Sequence, residues 1–193
     1  MLKPNLHKAV FLDRDGTLIE EKNYLHKPED VVICPNASEG LKKLQDAGFK
    51  LFIVTNQSGV GRGYFTLADV DKVHAHLCEA LGKAGVRFEK IYIAPEHPDH
   101  PSRGRKPSPQ FLFDARDEFG IDLAESYIIG DKVIDLECGW NAGAKKSILV
   151  RTGYGKTVEE KTPEVLAKAW VVDDLFAAAE MIVSHGDRTL ISR

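Results

Sequence analysis

Short unbroken apolar runs alternate along this chain with longer stretches in which apolar residues recur every third or fourth position. The first pattern suits a strand buried on both faces of a parallel sheet, and the second suits a helix packed on such a sheet. Lys8 to Asp13, Lys50 to Thr55, Phe88 to Ala94, Ser126 to Gly130, Lys146 to Val150 and Trp170 to Val172 read as six strands. Helical stripes lie between them. Leu41, Leu44 and Ala47 follow Asn36, an N-cap with Glu39 completing a capping box, and Gly48 ends that helix. Val70, Val73, Leu77 and Leu81 follow a Thr66 cap and run toward Gly85. Ser108 and Pro109 open a helix that Gly120 closes, Val133 to Ala142 forms another, and the last runs from Leu175 to about Val183. Strands joined through helices imply right-handed crossovers, hence an α/β, Rossmann-like fold with a mostly parallel sheet and helices on both faces.

Three segments break the rhythm, Gly16 to Pro35, Glu96 to Lys106 and Thr152 to Thr162, and read as loops at the rim of a site. None is large enough for a second domain, so residues 1–193 are expected to form one domain, with 184–193 as a tail. A net charge of −3 gives no electrostatic reason to expect nucleic acid. No run is long enough to cross a bilayer, and Met1 to Lys8 lacks the apolar centre of a signal peptide. Cys34, Cys78 and Cys138 are far apart and odd in number, which fits buried thiols in a reduced, cytoplasmic protein.

Candidate chemistry gathers where strands end. The first strand runs into Asp13-Arg14-Asp15-Gly16-Thr17. In extended backbone Asp13 and Asp15 point to one side, and two carboxylates there can hold a hard cation or divide nucleophilic and proton-transfer work. Asp-Gly is also an ordinary turn, and the glycine stands too early for a calcium-binding EF-hand loop. The second strand ends Thr55-Asn56-Gln57-Ser58-Gly59, where hydroxyl and N–H groups suit phosphate oxygens. Arg105-Lys106-Pro107 precedes a helix N-terminus, an anion-friendly end. The fourth strand leads to Gly130-Asp131-Lys132 with Asp135 on the first helical turn. Taken alone, each feature is as readily a cap, a strand end or a solvated basic pair. Gly59, Gly61 and Gly63 have the wrong spacing for a dinucleotide loop. His7, His26, His74, His76 and His185 show no ligand spacing.

As an ordered set spanning residues 9 to 135, these features resemble the four motifs of haloacid dehalogenase (HAD) superfamily phosphatases. The carboxylate at Asp15 points to phosphoryl transfer within that superfamily. The chain further resembles the branch of D-glycero-D-manno-heptose 1,7-bisphosphate phosphatases, which also holds the phosphatase domain of histidinol-phosphate phosphatases; both are capless. Relatives in that branch carry a cysteine-rich zinc loop before the Arg-Lys pair. Here the stretch is Ala94 to Gly104, with His97, Asp99 and His100 but no cysteine, so zinc is not expected.

The resemblance implies a capless HAD fold and a Mg²⁺-dependent hydrolase of a sugar bisphosphate, most simply the heptose 1,7-bisphosphate at C7. The alternatives are a histidinol-phosphate or other small phosphomonoester phosphatase, and a non-catalytic phosphosugar-binding protein. Asp13 is expected to attack phosphorus, giving an aspartyl-phosphate, and Asp15 to act as general acid and then base. Thr55 and Lys106 would hold the transferring oxygens. Asp13, the carbonyl of Asp15 and Asp131 would bind Mg²⁺, while Asp135 orients Lys106 or a metal-bound water. Arg14, Glu21, Tyr24, Asn56, Gln57, Ser58, Arg62, Arg105 and Lys132 are candidates for binding substrate. The expected partner is a small phosphorylated metabolite taken by a monomer, with no membrane involved.

Overall fold

The computed structural model describes residues 6–188, and only the backbone of 186–188. The strands are β1 (Ala9–Leu12), β2 (Lys50–Asn56), β3 (Lys90–Ala94), β4 (Tyr127–Gly130), β5 (Lys146–Val150) and β6 (Trp170–Val172). They form one sheet in the order β3-β2-β1-β4-β5-β6, with every neighbouring pair parallel. The helices are α1 (Ala37–Asp46), α2 (Ser58–Gly61), α3 (Leu67–Gly82), α4 (Gln110–Phe119), α5 (Val133–Ala142), α6 (Gly155–Lys161) and α7 (Leu175–Arg188).

Strand parity divides the core. Val10, Leu12, Leu51, Ile53, Ile129 and Ile148 face one layer, together with Leu41 and Leu44 of α1, Leu77 and Leu81 of α3 and Ile182 of α7. Ala9, Phe11, Phe52, Val54 and Ile128 face the other, against Leu112 and Ala115 of α4 and Cys138 of α5. Both faces are therefore covered, as the continuous apolar runs require. Phe11 and Phe52 stack on adjacent strands with ring centroids 5.3 Å apart. Burial raises the pKa of all three thiols, most strongly at Cys138.

The chain enters the sheet at its centre and fills one half before the other. Strand order reverses between β1 and β4, and this opens the crevice at their carboxyl ends where such sheets hold ligands. Among the described residues no helix is long and apolar enough to cross a membrane.

Three local expectations change. Thr66 does cap α3, with a reciprocal capping box to Asp69. The box expected at Asn36 does not form: Asn36 sits at φ 60° and its side-chain amide donates to Asp174 instead (3.3 Å). The segment expected as a loop from Thr152 to Thr162 contains α6, whose only apolar branched side chain, Val158, gives no stripe to read. Helix α7 continues to Arg188, into the expected tail; residues 189–193 lie outside the described residues.

Candidate active site

Four chain segments converge at the carboxyl end of the sheet. Asp13 leaves β1, its amide donating to Ile129 O (3.0 Å). Thr55 is the penultimate residue of β2, Asp131 follows β4, and Asp135 sits on the first turn of α5. Lys106 arrives from the loop before α4, and its ammonium lies at the centre. Nζ donates to Asp13 Oδ1 (2.7 Å) and to Val54 O (2.7 Å), and lies 2.6 Å from Asp135 Oδ1. Two N–H groups of this buried cation thereby donate hydrogen bonds, and Asp135 faces it as an ion-pair partner. Burial works against that charge, but Asp13 and Asp135 outweigh it and hold the pKa above the ordinary lysine range. The second carboxylate oxygen of Asp135 accepts from the Lys132 amide (3.0 Å). Of the two roles left open for Asp135, the geometry favours holding Lys106.

Lys106 is itself delivered by Asn56. The side-chain amide of Asn56 donates to Lys106 O (3.1 Å) and its oxygen accepts from Lys106 N (3.0 Å). Asn56, expected to touch substrate, thus clamps the lysine's main chain.

Asp13, Asp131 and Asp135 place carboxylate oxygens within 4.8 Å of one another, all buried. The Lys106 ammonium touches Asp13 and Asp135, and Lys132 Nζ lies 3.9 Å from Asp131 Oδ1. Three carboxylates thus face two cations, and negative charge is left over. Asp131 shows it most clearly. Its side chain is wholly buried; Oδ2 accepts from the Tyr154 amide (2.9 Å), while Oδ1 has no hydrogen-bond partner. Burial first, and then Asp13, push its pKa well above the carboxylate range. An orphaned buried oxygen among hard oxygen donors fits a divalent cation of the Mg²⁺ type. Two glycines make room for this arrangement. Gly16 (φ +82°) and Gly153 (φ +53°) pass so close to Asp131 that a Cβ on either would strike its Oδ2. Thr152 Oγ1 ties the two turns together by donating to Gly16 O (2.6 Å).

Asp15 belongs to a separate network. Arg14 donates to both its oxygens, from Nε to Oδ2 (3.0 Å) and from Nη2 to Oδ1 (2.9 Å). Gln57 Nε2 donates to Asp15 Oδ2 (3.0 Å) and to Thr55 Oγ1 (2.8 Å). Gln57 Oε1 accepts from Arg14 Nη2 (3.2 Å). Arg14 lines the crevice but is only 1% exposed, and its Nε, Nη1 and Nη2 each have a partner inside the protein.

A crevice of about 310 Å³ lies over these groups. It is lined by Asp13, Asp15 and Lys106, and at its rim by Glu21, Tyr24, Ser58, Arg105 and Lys132. Glu21 pairs with Lys132 (3.0 Å), and Arg105 keeps a buried Nη1 with no partner. Arg62 lies elsewhere: the single turn of α2 carries the chain off the strand end and leaves it exposed, outside the lining. Tyr154, which sequence reasoning did not single out, supplies the amide to Asp131 and sets its ring 4.8 Å from Lys132 Nζ. Its signal was the Gly153-Tyr154-Gly155 turn directly after a strand. In the remaining rim loop, Ser102 Oγ donates to Glu96 (2.6 Å), while His97 and His100 lie with ring centroids 5.3 Å apart.

Comparison with known proteins gives a consistent picture. Residues 104–178 match the family model described as "HAD-hyrolase-like". The chain is similar to the D-glycero-D-manno-heptose-1,7-bisphosphate 7-phosphatase of Chlorobaculum tepidum, 38% identical over 184 residues, which cover 89% of this chain and 92% of the relative. It is also similar to the D-glycero-alpha-D-manno-heptose-1,7-bisphosphate 7-phosphatase of Photorhabdus laumondii, 35% identical with 94% and 100% covered. Among solved structures, it is similar to the D,D-heptose 1,7-bisphosphate phosphatase of B. bronchiseptica complexed with magnesium and phosphate. That structure has a TM-score of 0.86 and 29% identity, covering 92% of this chain and 99% of the other.

Proposed function

The chain belongs to the heptose-1,7-bisphosphate 7-phosphatase family of HAD-like enzymes, and from that premise we propose that it hydrolyses D-glycero-D-manno-heptose 1,7-bisphosphate at C7. Asp13 attacks phosphorus in line, forming an aspartyl-phosphate as the bond to the C7 oxygen breaks. Asp15 protonates the departing oxygen, then takes a proton from the water that attacks the phosphoaspartate, releasing phosphate and freeing Asp13. Thr55 accepts from Gln57, which leaves its own proton for a phosphoryl oxygen. Lys106, already bonded to Asp13, offsets charge on those same oxygens. Asp13, Asp131 and the Asp15 carbonyl are the groups that would hold Mg²⁺, which when bound supplies the positive charge that lets a phosphate dianion approach a carboxylate.

The observation that carries this reading is the buried Lys106 ammonium held between Asp13 and Asp135, beside an Asp131 oxygen with no hydrogen-bond partner. The rim supports a substrate with a second phosphate, since Arg105 and Lys132 add two cationic side chains to the crevice besides Lys106. The same reading takes the chain as one domain working as a cytoplasmic monomer on a small metabolite. Phosphate release with Mg²⁺ from heptose 1,7-bisphosphate, heptose 1-phosphate and histidinol phosphate tests it. Turnover of the bisphosphate should exceed both others, and preference for histidinol phosphate would overturn the substrate assignment.

A further inference from the structure

His74 is a buried histidine with no part in the chemistry described so far. It lies on α3, 5% exposed, in register with Val70, Leu77 and Leu81 on the helix face turned toward the sheet. Its Nε2 is 3.3 Å from Arg14 Nη1. Arginine is donor-only, so Nε2 must accept, and the ring must be neutral with its proton on Nδ1. Burial and the Arg14 charge pull the His74 pKa down to about 3, in keeping with a permanently neutral acceptor.

From here the contacts run in one direction. His74 holds one end of the Arg14 guanidinium, and Leu25 O (3.3 Å) and Gln57 Oε1 hold another. Nε and the same Nη2 grip Asp15, through Oδ2 and Oδ1 respectively. Oδ2 receives two N–H bonds, from Arg14 and Gln57, whereas Oδ1 receives one. Oδ1 is therefore the oxygen with room for a proton. A carboxylate between neighbouring residues has many rotamers; a guanidinium anchored at its far end leaves it one.

We propose that His74 is a positioning residue for proton transfer: it anchors Arg14, which aims Asp15 Oδ1 at the leaving group. The inference rests on the role assigned to Asp15 above. Without an acceptor at position 74, a buried guanidinium N–H is orphaned, the group shifts to find another, and Asp15 turns with it.

The test uses leaving-group dependence in the Mg²⁺-loaded enzyme. An alkoxide such as C7–O⁻ needs a proton to depart, while p-nitrophenolate does not. kcat/KM reports the step that expels it. General acids contribute about 10²–10⁴-fold, so His74→Leu and Arg14→Lys are expected to cost at least ~10-fold more in kcat/KM on the sugar phosphate than on p-nitrophenyl phosphate. His74→Gln, whose amide oxygen can accept the same N–H, should recover to within about threefold of the parent on both substrates. Asp15→Asn serves as the reference and should show the same selectivity. Equal losses on the two substrates, no loss, or failure of glutamine to rescue would overturn the role of His74. If His74→Leu does not fold, Arg14→Lys decides by the same criterion. If Asp15→Asn itself is unselective, the proton-transfer assignment falls, and that failure is separable from the first.

Discussion

At the scale of single residues, Lys106 shows why a charge can sit in a core. Its ammonium is matched by two carboxylates and a carbonyl, so the penalty of burying it is offset only while all of them remain. Lys106→Met should lower stability by about 3–5 kcal/mol, because Asp13 and Asp135 are left facing each other unpaired. Adding Asp135→Asn should return part of that stability, read from urea midpoints, without returning activity. Asp13→Asn separates chemistry from binding. Turnover should disappear while Mg²⁺-dependent phosphate binding persists, and turnover equal to the parent's in that variant removes Asp13 as nucleophile. The motif aspartates and Thr55 were readable because each lies within a residue or a turn of a strand end, where sequence distance and spatial position agree, whereas Lys106 was marked by its place just before a helix. His74 was not readable in that way: its partner is sixty positions away and is fixed by helix packing. Its place among Val70, Leu77 and Leu81 signalled burial but not the arginine.

At the scale of elements, unbroken apolar runs led directly to β1, β2, β4 and β5, since a strand covered on both faces leaves no polar alternation to confuse. Helix α5 was equally plain, being bounded by Lys132 and Gly143. Helix α6 was hidden for want of a stripe, and the cap at Asn36 was lost to a left-handed backbone no local pattern announces. The turns around Asp131 carry their own prediction. Gly153→Ala adds a Cβ against Asp131 Oδ2 at a positive φ, so the ligand must move. Weaker Mg²⁺ binding by calorimetry is expected, with the far-UV spectrum unchanged. Unaltered affinity would mean the turn yields instead.

At the scale of the whole molecule, two buried groups set opposing pH dependences. His74 has its pKa lowered from 6.5 to about 3, so the unfolded chain binds its proton first. Stability is fully present above about pH 6.5 and falls by roughly 1.4 kcal/mol per pH unit on acidification toward pH 3. Asp131 is raised instead, so the folded, metal-free protein holds a proton that the unfolded chain releases. Stability without metal therefore declines as pH climbs above about 4, and Mg²⁺ should restore it while expelling that proton. Melting temperatures with and without Mg²⁺ should diverge as pH rises; parallel curves would contradict a cation at this cluster.

The grip of Asn56 on Lys106 extends the sheet by one residue that the chain path does not contain. Both main-chain groups of Lys106 are paired as they would be in a ladder, although the residue arrives from a rim loop. In deuterium oxide, its amide should label at the slow pace of β2 while Ser102 and Arg103 nearby label early.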